Sequence, residues 1–473
     1  MIASNTDLGE NGHGKGPGSH LPVENPCLSY WQKTTRAFPL LNANSESSPD
    51  NQLPATAKYV VIGSGISGAL TAFELLEASP DLRGEDVVIL EAREAASGAS
   101  SRNAGHVRPD SFRGFVAYSR LHGVEQAKKI IANEKLVLER VDAFVAKHNV
   151  PCDFNLATTF DVCMTPEFAA YEAECFTAYQ QAGGDVSHVK FYAGEEAKRA
   201  SRVESAITAY EWPAGSSHPA KLAQWLLQSV VERGARLFTH CPALSVVQAA
   251  DGVAWKIETA RGEIETKTVI HCTNAHASFL LPQLSKHVIP NRAQAHSVIP
   301  TSALAAGKEL KSTLSLRYSL AHFYSVIQRK GDGTIILGVS RSNPTLSEKT
   351  LAERINIDDR VYNQEIADDA MKQWKLIFNE SEVVHGEGID HSWTGVIAMT
   401  PDSVPYVGAI ESLPGQFICA GFNGHGMARI FTSAPGVVKV VLGKSWQETG
   451  LPECFQITEE RLSRLVDPSK SVW

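Results

Sequence analysis

Residues 58–91 constrain the fold of this chain more than any other stretch. The apolar run Tyr59-Val60-Val61-Ile62 reads as a buried strand and passes straight into Gly63-Ser64-Gly65-Ile66-Ser67-Gly68. The next residues, Ala69-Leu70-Thr71-Ala72-Phe73-Glu74-Leu75-Leu76, have helical apolar spacing. A second apolar run, Val87-Val88-Ile89-Leu90, ends on Glu91, 91 − 68 = 23 residues past the third glycine. This is the order of a dinucleotide-binding βαβ unit. Gly63 permits the tight turn, Gly65 lets a diphosphate approach the backbone, and Gly68 lets the helix pack on its strand. Ile66 and Ser67, at the head of the helix, offer free N–H groups to the diphosphate. Glu91, followed by Ala92 and Arg93, is expected to accept hydrogen bonds from a ribose, and its charge disfavours a 2′-phosphate. Glycine-rich turns are common in other α/β domains, but here strand, helix and acid all stand where the fingerprint requires them.

A chain of 473 residues suits two consecutive or interwoven domains, each with a sizeable core. The formal charge of −8 and the lack of any basic run argue against nucleic acid or an anionic membrane as a partner. The eight cysteines are scattered singly, without CxxC or metal-ligand spacing, so no metal site is expected and the thiols read as free in a reducing compartment. No signal-like apolar segment opens the chain and no run has the length of a membrane helix, which makes a cytosolic location the default expectation.

In chain order, residues 1–54 read as an N-terminal arm and linker, polar and disorder-prone over 1–20 and again over 42–54. Between these, Ser29-Tyr30-Trp31 and Phe38-Pro39-Leu40-Leu41 offer enough apolar surface to dock on the body, a role we expect in preference to binding. Residues 55–114 form the first nucleotide-binding part and 115–215 a mixed α/β excursion, with a helix at 125–148 and strands near 159–164 and 189–192. A helix at 220–232, Gly234 and a strand at 236–239 then return the chain to the first domain over 216–289, because strand after helix after glycine is how a parallel sheet grows. A second excursion, 290–385, carries strands at 295–299, 322–328 and 334–339. Segment 386–445 is expected to close the nucleotide-binding domain, with a helix from about 428, and 446–473 is a tail. The fold class is therefore α/β, a Rossmann-type domain interwoven with a mixed α+β substrate domain.

Three parts of the sequence belong together: the fingerprint with Glu91; the small polar loop Gly98-Ala99-Ser100-Ser101-Arg102-Asn103-Ala104-Gly105-His106; and Thr400-Pro401-Asp402 with Gly424-His425-Gly426. Together they resemble the FAD-dependent oxidoreductases of the D-amino-acid oxidase superfamily, the group that includes glycine oxidase, sarcosine oxidase and gamma-glutamylputrescine oxidase. The resemblance spans about residues 58–441, and the segment 101–106 is similar to the "GRNGGH" loop of a largely fungal branch. It implies FAD rather than NAD, with ADP on the N-terminal unit and the isoalloxazine between the domains. It further implies that Ser100, Arg102, Asn103, Ala104, Gly105 and His106 lie beside the cofactor. Gly424, His425, Gly426 and Met427 would form a strand-to-helix turn whose N–H groups stabilise the negative charge of reduced flavin. Asp402 is placed near the ribityl chain, Asn274 near the ADP, and Val246 against the adenine. For the Gly424 turn an ordinary helix start is the alternative, and for Asp402 and Asn274 a simple turn.

The resemblance also implies oxidation of an amine, amino acid or N-alkyl amino acid by hydride transfer to flavin N5, with oxygen or another acceptor taking the electrons. Such chemistry asks mainly for positioning, and neither GxSxG nor HExxH occurs. Alternatives are a tailoring enzyme acting on a larger C–N or C–C bond, or a non-enzymatic dinucleotide-binding protein. Candidates for the substrate pocket are Arg317, His322, Tyr324, Arg341, His296 and Trp393. Tyr324 and His322 are expected as catalytic residues, because the strand at 322–328 alternates and its counterpart in the family faces the flavin. Arg317 and Arg341 are candidates to grip a substrate carboxylate. A non-covalent flavin is expected, since Gly395 stands where sarcosine oxidase carries its tethering cysteine; His106 is the alternative attachment point.

Overall fold

A computed structural model describes residues 20–46, 51–339, 342–378 and 383–464. The first 19 residues, Arg341 and the end of the tail lie outside these. Two sheets organise the chain. The first has six strands in the order Tyr406–Ala409, Gln416–Ala420, Val269–His271, Tyr59–Ile62, Val87–Leu90 and Arg236–Phe238. Every neighbouring pair is parallel except the first. Its central strands are buried on both faces, which is why they are unbroken apolar runs. One face, with Val61, Ile89 and Leu237, packs on the helices Ile66–Ala78, Pro219–Glu232 and Ile430–Val441. The other, with Val60, Ile62, Val88 and Phe238, packs on a small sheet of Ala243–Gln248, Trp255–Thr259 and Gly262–Thr266.

The second sheet runs Gly388–Met399, Ile289–Ile299, Ile335–Val339, Phe323–Gln328, Thr313–Arg317, Asn155–Cys163, Thr208–Ser216 and His106–Val107, with Lys190–Ala193 also paired to Thr208–Ser216. Its outer face carries Leu314, Leu316, Tyr324, Val326 and Leu337 against Trp374 of the helix Gln364–Phe378. Its inner face turns toward the nucleotide-binding unit. There Asp161, Ser315, Ser325 and Gly338 stand opposite one another on neighbouring strands.

The strand Gly388–Met399, which follows the expected boundary at 386, belongs to the large sheet. It pairs with Ile289–Ile299 along its length, from Ile289↔Met399 to Ile299↔Gly388, so the chain stays in the large sheet until the turn at Thr400 and enters the nucleotide-binding sheet at Tyr406. The N-terminal arm docks through the short helix Tyr30–Lys33, whose Trp31 is fully buried beside Ala295, Ile327, Ile336 and Trp393. No helix among the described residues is long and apolar enough to cross a membrane.

Candidate functional site

A cleft of about 1370 Å³, open mouth included, runs along the carboxyl ends of the nucleotide-binding strands, where open α/β sheets bind their ligands. Gly63, Gly65, Ile66, Ser67, Glu91, Ala92 and Arg93 line it, as do Ser100, Asn103, Asn274, Gly424, Gly426 and Met427. At one end the Glu91 carboxylate is fixed from three sides. It accepts the Ser64 N–H at 3.1 Å and hydroxyl at 2.6 Å on one oxygen, and the Arg93 N–H at 2.9 Å on the other. The Arg93 guanidinium is already neutralised by Asp359, at 3.0 and 3.2 Å. An acid presented and a cation withdrawn suit an unphosphorylated ribose.

In the middle, Gly63 takes φ +106°, and a Cβ there would meet the Cys272 carbonyl oxygen at 2.7 Å. A Cβ on Gly65 would meet the Ser100 hydroxyl at 2.8 Å, and that hydroxyl accepts the Ile66 N–H at 2.8 Å. The helix start is thus bare except for one small hydroxyl, the cradle a diphosphate needs. Asn274 holds the far wall by accepting the Gly421 N–H at 3.0 Å. At the other end Asn423 and Gly424 have φ of +55° and +73°. Asn423 ties the turn down, accepting the Thr400 N–H at 2.7 Å and donating to the Gly421 carbonyl at 2.8 Å. The helix after this turn begins at Ile430, two residues later than expected.

Several expected site residues lie off the cleft. Gly68 sits behind it, where a Cβ would come within 1.9 Å of the Gly63 carbonyl oxygen. Ala104 and Gly105 abut the arm and the inner sheet face, Ala104 beside Trp31 and Trp393, and Gly105 3.2 Å from the Trp31 ring measured from a would-be Cβ. Arg102 is a buried staple, donating to the carbonyls of Ser97 at 2.8 Å, Thr394 at 2.8 Å and Cys27 at 2.6 Å. The Asp402 carboxylate is committed to Arg461 at 2.7 and 2.9 Å, anchoring the last helix. Val246 pairs with Ile257 inside the small sheet, and Pro242 and Ala243, at the base of its strand, line the cleft instead.

Tyr324 and His322, the expected catalytic residues, do not line the cleft. The register Leu316↔Tyr324 puts Tyr324 on the outer face, where its hydroxyl donates to Asp369 at 2.5 Å and accepts from Asn343 at 3.2 Å. His322 stacks on Tyr318 in the adjoining turn, ring centroids 4.6 Å apart. The alternation of the strand was read correctly, but a period of two does not say which face meets the cofactor. His296 shares the register of Leu337 and is held by Ser392 at 2.8 Å, while Trp393 donates to the Arg102 carbonyl at 2.8 Å.

Next to the turn at the cleft's end lies a buried polar cluster, none of whose side chains lines the cleft; the sequence singles out its His106, His425 and Arg317 but not Arg108, Arg113, Glu134, Asp161 or Arg429. His425 lies between two cleft-lining glycines, 3.5 Å from Glu134, which also takes Arg429 at 2.9 Å. Beside it stands His106, neither of whose ring nitrogens has a hydrogen-bond partner among the described residues. Burial, then repulsion from Arg108, Arg317 and His425, lowers this imidazole to about 3, so it is neutral. Arg108 and Arg113 each reach Asp161 at 2.7 Å, and Arg317 reaches it at 3.5 Å while lying 3.9 Å over the Phe323 ring. Burial opposes ionisation of Asp161, but the three guanidinium groups outweigh it and hold the carboxyl well below its usual range. Burial and then Asp161 push the neighbouring Glu172 well above that range, so it keeps its proton. Three cations therefore face the carboxylates of Asp161 and Asp110, an excess of 3 − 2 = 1 positive charge. The available signal was a charged residue inside an apolar run, Phe160-Asp161-Val162, and two arginines, Arg108 and Arg113, soon after the small-residue loop.

The chain is 23% identical over 400 residues to the probable oxidoreductase OrdL of Haemophilus influenzae, covering 82% of this chain and 83% of that protein. It is 22% identical over 382 residues to gamma-glutamylputrescine oxidoreductase of Escherichia coli, covering 79% and 80%. Among solved structures, glycine oxidase from Geobacillus kaustophilus superposes with a TM-score of 0.68 at 19% identity, over 86% of this chain and 99% of that one. The family model of the FAD dependent oxidoreductases, DAO, matches residues 58–440, from the first strand of the cleft to the helix behind its last turn, and the chain belongs to that family.

Proposed function

We propose that this enzyme oxidises the C–N bond of an amino acid or N-substituted amino acid whose carboxylate is held by Arg317 and Arg108. The carrying observation is the excess positive charge buried around a neutral histidine beside His425, in the glycine turn that lines the end of the cleft. FAD bound there supplies the hydride acceptor, flavin N5. Glu91 would take the ribose hydroxyls, the Ser67 N–H and the Ser100 hydroxyl that caps Ile66 the diphosphate, and the turn 424–427 the flavin's electron-rich edge. The arginines pair with the substrate's carboxylate, and burial of the amine, with the excess charge already matched, disfavours its protonated form and leaves the nitrogen lone pair that C–H cleavage needs. His106, neutral and unpartnered, accepts a hydrogen bond from that nitrogen. The relatives, a gamma-glutamylputrescine oxidoreductase and a glycine oxidase, are in line with amine-type substrates.

The test begins with the absorption spectrum, expected to show flavin bands near ~370 and ~450 nm. Under nitrogen the ~450 nm band should bleach with members of a panel of amino acids and N-methyl amino acids, and not with the matching amines that lack a carboxylate. Arg317→Ala should raise the concentration for half-maximal bleaching about a hundredfold, the loss of a charge-assisted pair. Equal bleaching by a decarboxylated amine would overturn the carboxylate reading. Peroxide formed in air identifies oxygen as the acceptor.

A further inference from the structure

The family match begins at residue 58, yet residues 21–31 touch the cleft and its loops at both ends. Leu21 and Pro22 line the cleft alongside Asp359, on the side where Glu91 and Arg93 stand. The Val23 carbonyl accepts from Arg93 at 3.5 Å, and the Cys27 N–H donates to the Asp359 carbonyl at 2.9 Å. Further along, the Ser29 hydroxyl donates to the Ser101 carbonyl at 2.5 Å and the Trp31 indole to the Asn103 carbonyl at 2.7 Å. The arm therefore grips the small-residue loop from behind while its earlier residues lie over the cleft.

On the reading that the cleft holds FAD, we infer that residues 21–31 are part of the cofactor site: Leu21 and Pro22 close over the adenosine end, and Trp31 positions Asn103 and Gly105. The two parts differ in depth. Trp31 is fully buried, whereas residues 20–28 are half-buried or exposed. A shallow extended segment opens locally at little cost, while the anchor stays in place. Contact between Leu21, Pro22 and the bound nucleotide couples the two events. FAD holds the segment down, and by reciprocity the segment slows FAD release. The Arg93–Asp359 pair serves the same closure from the body of the protein, joining the strand-end loop after Glu91 to the excursion that contains Asp359.

The test uses the full-length, FAD-loaded protein and two readouts that do not depend on turnover. The first is the rise in FAD fluorescence after dilution, for wild type and for the Leu21→Gly/Pro22→Gly double variant. Release should be at least about tenfold faster in the variant, while the apo-protein melts within a few degrees of wild type, since both residues are shallow. The second is cleavage after exposed Glu24 by a glutamate-specific protease, which saturating FAD should slow at least about tenfold in wild type, as coupling requires. Trp31→Phe, which removes the bond to Asn103 and loosens the buried anchor but leaves Leu21 and Pro22 in place, should speed release less than the double variant does. Equal release rates in a flavin-loaded wild type and double variant, with Glu24 cut equally in both ligand states, would overturn the inference while leaving the cofactor assignment intact. A wild-type protein that takes up no FAD would overturn both.

Discussion

Glu91 shows how one residue can serve fold and ligand together. In the structure its carboxylate takes three donors, two from Ser64 and one from Arg93, so Glu91→Ala orphans all three. We expect that variant to lose FAD on dialysis and also to lower apo-protein stability by about 1–3 kcal/mol, the cost of stranding hydrogen-bonded groups on a charge. Glu91→Gln, which keeps an acceptor for Ser64, should retain more of the stability than of the FAD affinity. Chemical denaturation of the apo forms, beside flavin occupancy after dialysis, separates the two effects. Tyr324→Phe makes the opposite case. Its hydroxyl serves Asp369 and Asn343 on the outer sheet face, so the variant should lose about 1 kcal/mol of stability and keep anaerobic bleaching by substrate within about twofold. A hundredfold slower bleaching would return Tyr324 to the active site. Gly395 argues for a non-covalent flavin on new grounds. Beyond lacking a nucleophile, it has no room for one, since a Cβ would sit 2.8 Å from the Arg102 Cβ. Acid precipitation should leave a yellow supernatant over a colourless pellet, and a yellow pellet that loses its colour in His106→Ala would name His106 as the tether.

At the scale of elements, what was legible depended on whether the signal was local. The strand Tyr59–Ile62, the glycine turn and the helix Ile66–Ala78 each depend on residues adjacent in sequence, and all three could be read. The face of a strand is not a local property, because it depends on which neighbour pairs at which register. Tyr324 was misplaced for that reason, and Val246 was exchanged for Ala243, three residues away at the base of the same strand. The strand Thr313–Arg317 alternates too, but it is only five residues long and its polar side chains, Ser315 and Arg317, are buried against each other and against the distant Asp161 instead of facing water. The arm could be read as a docking element, but its place beside the cleft could not, since Trp31 meets Asn103 across a separation of 72 residues. Its helix Tyr30–Lys33 has four residues, too few to persist alone, so it depends on docking and on the Ser29–Gln32 capping box. Ser29→Ala removes both the cap and the bond to the Ser101 carbonyl. It should lower stability by about 1–2 kcal/mol, read as a shift in the denaturation midpoint with an unchanged slope. No shift would mean that the helix is held by Trp31 alone.

For the whole molecule, the interweaving of two sheets leaves many histidines in places that water cannot reach once the chain has closed. His271 sits in the central strand Val269–His271 and meets Gln416 at 2.7 Å; His296 is sealed in the large sheet; His218 caps the helix Pro219–Glu232 that returns the chain to the nucleotide-binding unit; and His106 ends the small-residue loop. Burial is the leading cause that lowers His271 and His296 to about 4 and His218 and His106 to about 3. Each is neutral in the folded protein and takes up a proton near pH 6.5 once unfolded. Below that value the unfolded chain binds protons that the folded chain does not. Their contribution to stability is therefore complete above about pH 6.5 and is lost as pH falls toward 4 and then 3, each by up to about 1.4 kcal/mol per pH unit. Glu172 and Glu74, both raised first by burial, work in the opposite direction but are only two groups. The melting temperature should thus drop by about 10 °C between pH 7.5 and pH 5, where solvent-exposed carboxylates are still ionised. His271→Asn should be less stable at pH 7.5 yet show a shallower fall, because one of the four protons has been removed from the slope. A melting temperature that stays level from pH 7.5 to pH 5 would mean that these imidazoles are already charged, or reached by water, in the folded state.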